Sequence, residues 1–327
     1  MIPAKLQKGD GVRVITPSRT MDLPFITDDI KSLAARRLET LGLNVSFGKH
    51  LLEKNIFNSS SIDSRLEDIH DAFRDPHIKM ILTVIGGYNS NELLPYLDYE
   101  LIKNNPKILC GYSDITALEN GIYAKTGLVT YSGPHFFDFG EVQGFEYTQE
   151  YFEKCFFQED AYQIFASTEW TNDKWGNCQL SRTKLPNPGW YMLNAGHATG
   201  VLIGSNLITF HSLLGSPYFP SLKDAIIFME EDEEERLFSF NRNLTSITLQ
   251  PEFSQVKGIV FGRFQPESGI TVEALQAVVQ NNPRLQQIPI IGGLDFGHTT
   301  PRLTLPIGGI VTISAHLGDV QVIIEKH

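Results

Sequence analysis

Along the first part of the chain, short runs of branched apolar residues alternate with longer stretches in which apolar positions recur every three or four residues. The short runs predict strands at 12–16, 44–47, 80–85, 107–110 and 128–131. The longer ones predict helices over 28–41, closed by Gly42, over 61–73, after Gly87, and over 114–125. Strands separated by helices form a parallel sheet covered on both faces, with ligands expected beyond the strands' carboxyl ends.

The pattern breaks between about Gln143 and Pro188, where aromatic and polar residues follow one another without a sustained period. The division expected from this is a first α/β domain over 1–150, a connecting segment over 151–188 and a second α/β domain over 189–327. In the last region strands are expected at 199–203, 225–229, 258–261, 289–291, 310–313 and 320–324, with helices near 206–214, 237–244 and 271–280. The alternation there is less regular, as in a mixed α/β domain.

Composition narrows the function classes. A chain of 327 residues is long enough for two cores. A formal charge of −11, with no basic cluster to offset it, repels phosphate backbones, so no nucleic-acid partner is expected. No apolar run approaches the length of a membrane span, and the opening segment MIPAKLQKGDGVRVITPS lacks a signal-peptide pattern, so a cytoplasmic protein is expected. Cys110, Cys155 and Cys178 stand far apart with no CxxC pair, and neither HxH nor HExxH occurs, so no metal site is expected.

Four segments carry candidate chemistry. In KILCGYSDITAL, Ser113 falls between a buried strand and a helix, two residues after Gly111. A tight strand-to-helix turn there would expose the hydroxyl, with the Asp114 N–H aimed at a developing oxyanion. The same residues also suit a plain helix cap. In IGGYNSN, paired glycines after a strand let the backbone approach a ligand, so Gly87 is a second oxyanion donor candidate; a βα turn capped by Asn89 or Ser90 is the alternative. His298 lies in a Gly-rich, Pro-bounded loop in IIGGLDFGHTTP, a setting unlike those of His50, His70, His77 and His327, and is the candidate general base. The strand AIIFME ends abruptly in carboxylates, with Glu230 best placed to be buried against a histidine and Glu231 to Glu235 expected in a solvated loop.

In order, the segments GDGVRVITPS (9–18), IGGYNSNELLPYLD (85–98), GYSDITAL (111–118), SGPHF (132–136), GVLIGSNL (200–207), IIFMEEDEE (226–234), GIVFGRF (258–264) and GLDFGHTTPRLTLPIG (293–308) resemble the LD-carboxypeptidase family of serine peptidases, particularly its microcin C self-immunity clade. The resemblance implies a flavodoxin-like N-terminal domain, a smaller C-terminal α/β domain, and a site between them. It implies a triad of Ser113, His298 and Glu230, with an oxyanion hole from the amides of Gly87 and Asp114 and no cofactor. Glu231 remains a competing triad acid, and the Gly204-Ser205-Asn206 loop departs from the GGN of many relatives. Asn206, Trp175, Tyr88 and His135 are the expected substrate contacts, with Trp175 available to stack on a base and Trp190 expected to pack an interface. The expected partners are a murein tetrapeptide or an aminoacyl-nucleotide and a second copy in a homodimer.

Overall fold

The computed structural model describes residues 1–174 and 179–327. Its first part runs β1 (Gly11–Ile15), α1 (Asp28–Thr40), β2 (Asn44–Phe47), α2 (Ile62–Arg74), β3 (Ile78–Thr83), α3 (Tyr99–Asn104), β4 (Ile108–Gly111), α4 (Thr116–Thr126), β5 (Thr130–Ser132) and α5 (Glu146–Phe157). Next come β6 (Tyr162–Ile164), β7 (Glu169–Trp170), β8 (Leu185–Pro186), β9 (Tyr191–Asn194), β10 (Gly196–Asn206), α6 (Leu207–His211), β11 (Ala225–Glu230) and α7 (Leu237–Thr248). The chain ends with β12 (Gly258–Gly262), α8 (Val272–Gln280), β13 (Ile290–Leu294), β14 (Leu305–Ile307), β15 (Ile310–His316) and β16 (Asp319–Lys326).

The first sheet has the order β2-β1-β3-β4-β5, all parallel, the flavodoxin-like arrangement, and β14 adds an antiparallel edge beside β5. Strands buried on both faces read as apolar runs because helices cover each side. One face packs a core around Val14, Leu38 and Phe152, the other a core around Ile81, Phe73 and Leu118. The second sheet orders its strands β6-β16-β15-β10-β11-β12-β13-β9, with β10 to β13 parallel at its centre and antiparallel strands on both sides.

Three departures from the sequence pattern have physical causes. After Gly87 the expected helix is a 3-10 segment over Ser90–Tyr96 that contains Pro95, followed by the short α3; proline has no N–H for a regular helical ladder. The region read as patternless holds α5, whose buried Thr148, Tyr151, Phe152, Cys155 and Phe156 do repeat at helical spacing. Aromatic side chains on its other positions masked that period. Glu231 is fully buried rather than solvated.

The two sheets are tied where the site forms. Asn120 of α4 donates to the Gly204 carbonyl at 2.9 Å and accepts the Gly204 N–H at 3.0 Å. Thr116 Oγ1 accepts the Asn206 N–H at 3.1 Å, and the Ser132 and Ser205 hydroxyls meet at 2.7 Å. The helix that follows Ser113 is thus fixed to the carboxyl end of β10. Among the described residues no helix is long and apolar enough to cross a membrane.

Candidate active site

Ser113 follows β4 and opens a single 3-10 turn that leads into α4. Its φ is +61°, a left-handed conformation costing about 1–2 kcal/mol for a residue with a Cβ. Asp114 holds this turn in place. Its buried carboxylate accepts from the Ser18 hydroxyl at 2.5 Å and the Ser90 N–H at 2.9 Å, while its carbonyl accepts from the Ser90 hydroxyl at 2.6 Å. The loops after β1, β3 and β4 are thereby drawn to one point, at the place where the strand order reverses.

Glycine leaves space in front of the hydroxyl. A Cβ on Gly86 would stand 3.1 Å from Ser113 Oγ and 3.4 Å from the Asp114 nitrogen, and one on Gly87 would strike Ser18 and Arg19. The Gly86–Gly87 peptide therefore runs beside Ser113 because neither residue has a side chain.

The other half of the site comes from the second sheet. His298 Nε2 lies 3.0 Å from Ser113 Oγ, and its Nδ1 lies 2.8 Å from Glu230 Oε2. Ser113, His298 and Glu230 form one hydrogen-bonded line across the two sheets. Burial opposes a charged imidazole, but Glu230 and, after it, Asp232 together outweigh it and raise the His298 pKa above its ordinary value. Glu230 ends β11 with its side chain fully buried. Its second oxygen accepts from Asn206 Nδ2 at 3.2 Å, and the same amide reaches Glu231 Oε2 at 3.3 Å. Parallel pairing of β10 with β11 sets Asn206 opposite Glu230 and makes this contact possible.

Glu231, the competing acid, makes no contact with His298. Burial first, and the neighbouring Glu230 second, push its pKa up to about 10, so it is neutral at pH 7. Asn206, an expected substrate contact, sits behind Glu230. Its amide is taken by the two glutamates and its carbonyl oxygen accepts from Thr209. It backs the line of three residues and caps α6.

Tyr88, 70% exposed, donates its hydroxyl to Glu234 at 2.7 Å and so joins loops from the two sheets. His135 is buried against the Tyr112 ring, at 4.2 Å between centroids. Trp175 lies outside the described residues. Trp190 packs into the second sheet's core and donates to Asp295 at 3.1 Å, in keeping with an interior role.

A cavity of 280 Å³ opens beside His298, lined among others by Tyr112, His135, Lys174, Asp232 and Arg302. A separate cavity of 420 Å³, lined by Tyr147, Phe165 and Trp170, touches the first, among the described residues, only through Thr300 and contains none of the three aligned residues. Arg302 had no place in the sequence reading, although it follows the GHTTP segment directly. Its Nε donates to the Gly297 carbonyl at 3.0 Å, and its Nη1 donates to Asp138 at 2.9 Å and Glu141 at 3.3 Å. It fixes the loop that carries His298. No cluster of three or more His, Cys, Asp or Glu placed to hold a metal occurs among the described residues.

Comparison with known proteins accords with this architecture. The model of the LD-carboxypeptidase N-terminal domain matches residues 12–133, and that of the C-terminal domain matches 199–313. The Bacillus subtilis protein YocD is 46% identical across the whole of both chains. Among solved structures, an MccF-like protein from Bacillus anthracis str. Ames is 47% identical, with a TM-score of 0.98 and complete coverage of both chains. The microcin C7 self-immunity protein MccF, solved in complex with aspartyl sulfamoyl adenosine, is 30% identical, with a TM-score of 0.89 over 100% of this chain and 99% of the other. With both domain models matched in order and a full-length relative at this identity, the chain belongs to the LD-carboxypeptidase family.

Proposed function

We propose that the protein is a serine hydrolase that cleaves an amide-type acyl bond in a small peptide or an aminoacyl-nucleotide. The observation that carries this reading is the continuous line Glu230–His298–Ser113, with spacings of 2.8 and 3.0 Å. Ser113 Oγ attacks the carbonyl carbon while His298 Nε2 takes its proton, and Glu230 stabilises the imidazolium that results. The developing oxyanion is received by the N–H groups of Gly87 and Asp114, next to the side-chain-free Gly86. His298 then returns the proton to the leaving group. A water activated by the same imidazole attacks the acyl-enzyme, releasing the acid and restoring the Ser113 hydroxyl.

Similarity to MccF in complex with an aminoacyl sulfamoyl nucleoside supports the aminoacyl-nucleotide as substrate. The family's description as LD-carboxypeptidase, and a relative named a murein tetrapeptide carboxypeptidase, support the second reading, removal of a terminal D-residue from a murein tetrapeptide. In the proposed division, residues 1–150 supply the nucleophile and 189–327 the acid and base, with 151–188 between them. A cytoplasmic homodimer fits the family resemblance.

A panel pairing murein tetrapeptide with aminoacyl-adenylate analogues, run on wild type and Ser113→Ala, tests class and substrate together. Turnover of one substrate should fall by about 10³-fold or more in the variant. Near-equal turnover by both proteins would remove the proposal, and binding without turnover would mark a noncatalytic receptor using the same cleft.

A further inference from the structure

The cavity beside His298 is walled by acids, with Asp138, Asp173, Asp232, Glu233 and Glu234 all lining it. Its lining cations are already spent, Lys174 on Glu233 and Arg302 on Asp138, Glu141 and the Gly297 carbonyl. Both substrate classes considered above nevertheless carry a negative charge on the leaving side of the scissile bond. In a peptide it is the terminal carboxylate, one carbon beyond the leaving nitrogen; in an aminoacyl-nucleotide it is the phosphoryl group on the leaving atom itself. Such an anion needs a cation that the acid-lined wall does not supply.

Arg19 stands on the first sheet's side of the cleft. It directly follows Ser18, whose hydroxyl bonds Asp114 at 2.5 Å, and its own N–H donates to the Gly86 carbonyl at 3.3 Å. Its stem lies along the next glycine, since a Cβ on Gly87 would stand 2.6 Å from Arg19 Cγ and 3.2 Å from Cδ. Glu234 holds the Tyr88 hydroxyl and most strongly resists its ionisation, and the positive charge of Arg19 acts there in the opposite sense. The side chain therefore runs from the oxyanion peptide toward the cleft mouth. It is half-buried, yet among the described residues its guanidinium makes no hydrogen bond, ion pair or ring contact. Arg65, which reaches the same loops, is by contrast fully used by the Pro17 and Asn89 carbonyls and by Glu92. A guanidinium with part of its hydration removed and no acceptor gains most from a ligand that brings one, and its planar fork suits a carboxylate or a phosphoryl group.

Resting on the hydrolase reading, we propose that Arg19 is a specificity-determining residue that pairs with the anion on the leaving group, the terminal carboxylate of a peptide or the phosphoryl group of an aminoacyl-nucleotide. Packing of its stem on Gly87 fixes this cation relative to the oxyanion donors, so the anion and the scissile carbonyl are held together. The protein is thereby restricted to bonds whose leaving group is negatively charged, and internal amides and neutral esters are poor substrates.

Calorimetric binding to Ser113→Ala at pH 7 tests this with two matched pairs. One is a murein tetrapeptide against the same peptide ending in a carboxamide. The other is alanyl sulfamoyl adenosine, ionised at its sulfamate nitrogen, against the neutral form methylated on that nitrogen. In the pair that the cleft accepts, the anionic ligand should bind about tenfold to hundredfold more tightly, and which pair shows the preference identifies the source of the anion. Adding Arg19→Gln should remove the preference. Arg19→Lys, which keeps the charge without the planar fork, should retain part of it and provides a second reading if the glutamine variant is unstable. Equal affinity within both pairs, a preference that survives Arg19→Gln, or no measurable binding of any of the four would overturn the assignment. A preference that is lost in Arg19→Gln, in a protein whose wild type hydrolyses neither series, would uphold the role of Arg19 and overturn the hydrolase reading.

Discussion

Gly297 lies directly against Glu230. A Cβ at position 297 would stand 2.5 Å from Glu230 Oε2, the oxygen that holds His298, and the glycine's φ of +103° is one that residues with side chains rarely adopt. The loop can therefore cross the carboxylate closely enough for the next residue's imidazole to bond it only if position 297 has no side chain. Gly262 plays a related part, since a Cβ there would meet Glu230 Cβ at 2.9 Å.

Gly297→Ala should both strain the loop and push the imidazole off its partners. Stability should fall by about 1–3 kcal/mol, and turnover by about a hundredfold because a displacement near 1 Å at the reacting group is that costly. Thermal unfolding and kcat/KM read the two effects separately. Unchanged turnover in a folded variant would contradict the tight Gly297–Glu230 contact.

The pH dependence follows from His298. The imidazole accepts the Ser113 proton only when neutral, so kcat/KM should rise with pH through the His298 pKa, which Glu230 holds above its ordinary value against the opposing effect of burial. Glu230→Gln removes the carboxylate that raises it. The ascending limb should move to lower pH while the plateau drops by about 10²- to 10⁴-fold. A limb that stays in place in this variant would show that another group controls the profile.

Glu231 offers a test on stability alone. Burial holds its folded pKa near 10, far above that of an unfolded glutamate, so between about pH 5 and pH 10 the unfolded chain has released a proton that the folded chain keeps. Stability contributed by the protonated group is complete below the unfolded pKa and is lost as pH rises through this window. Glu231→Gln cannot ionise, so its unfolding free energy relative to wild type should increase steadily from pH 5 to pH 9. Denaturant titrations at several pH values measure this difference, and a constant one would mean that Glu231 ionises freely in the fold.

Arg302 holds Asp138, Glu141 and the Gly297 carbonyl from a buried position. Arg302→Met should cost about 3–5 kcal/mol because it leaves the buried Asp138 without its cation and Glu141 with Arg182 alone. Arg302→Lys should recover part of this loss but not the bond to Gly297, so its stability should recover more than its turnover. Equal recovery of both would mean that the loop does not depend on this arginine.

Much of this arrangement was legible in the sequence. The βα alternation gave the parallel sheet, and the strand ends marked Ser113 and Glu230, because a parallel strand buried on both faces stops visibly where polar residues begin. His298 was distinguished by its glycine-rich loop, whose steric reason appears only with Glu230 beside it. Helix α5 was hidden because Tyr147 and Phe157, on less buried positions, resemble its core positions in an apolar count. The contact of Asn206 with Glu230 was not legible, because nothing local announces that β10 pairs with β11 in the register that sets the two opposite each other. Arg302 and Asp232 could not be separated from ordinary surface charges, since their partners lie on other elements.

The direct test is whether Ser113 is an activated nucleophile. Wild type treated with a fluorophosphonate, digested and mapped by mass spectrometry should carry the adduct on Ser113. Labelling should be abolished by Ser113→Ala and strongly slowed by His298→Ala. An unmodified Ser113 under conditions that label a known serine hydrolase, or labelling indifferent to the loss of His298, would contradict the catalytic line.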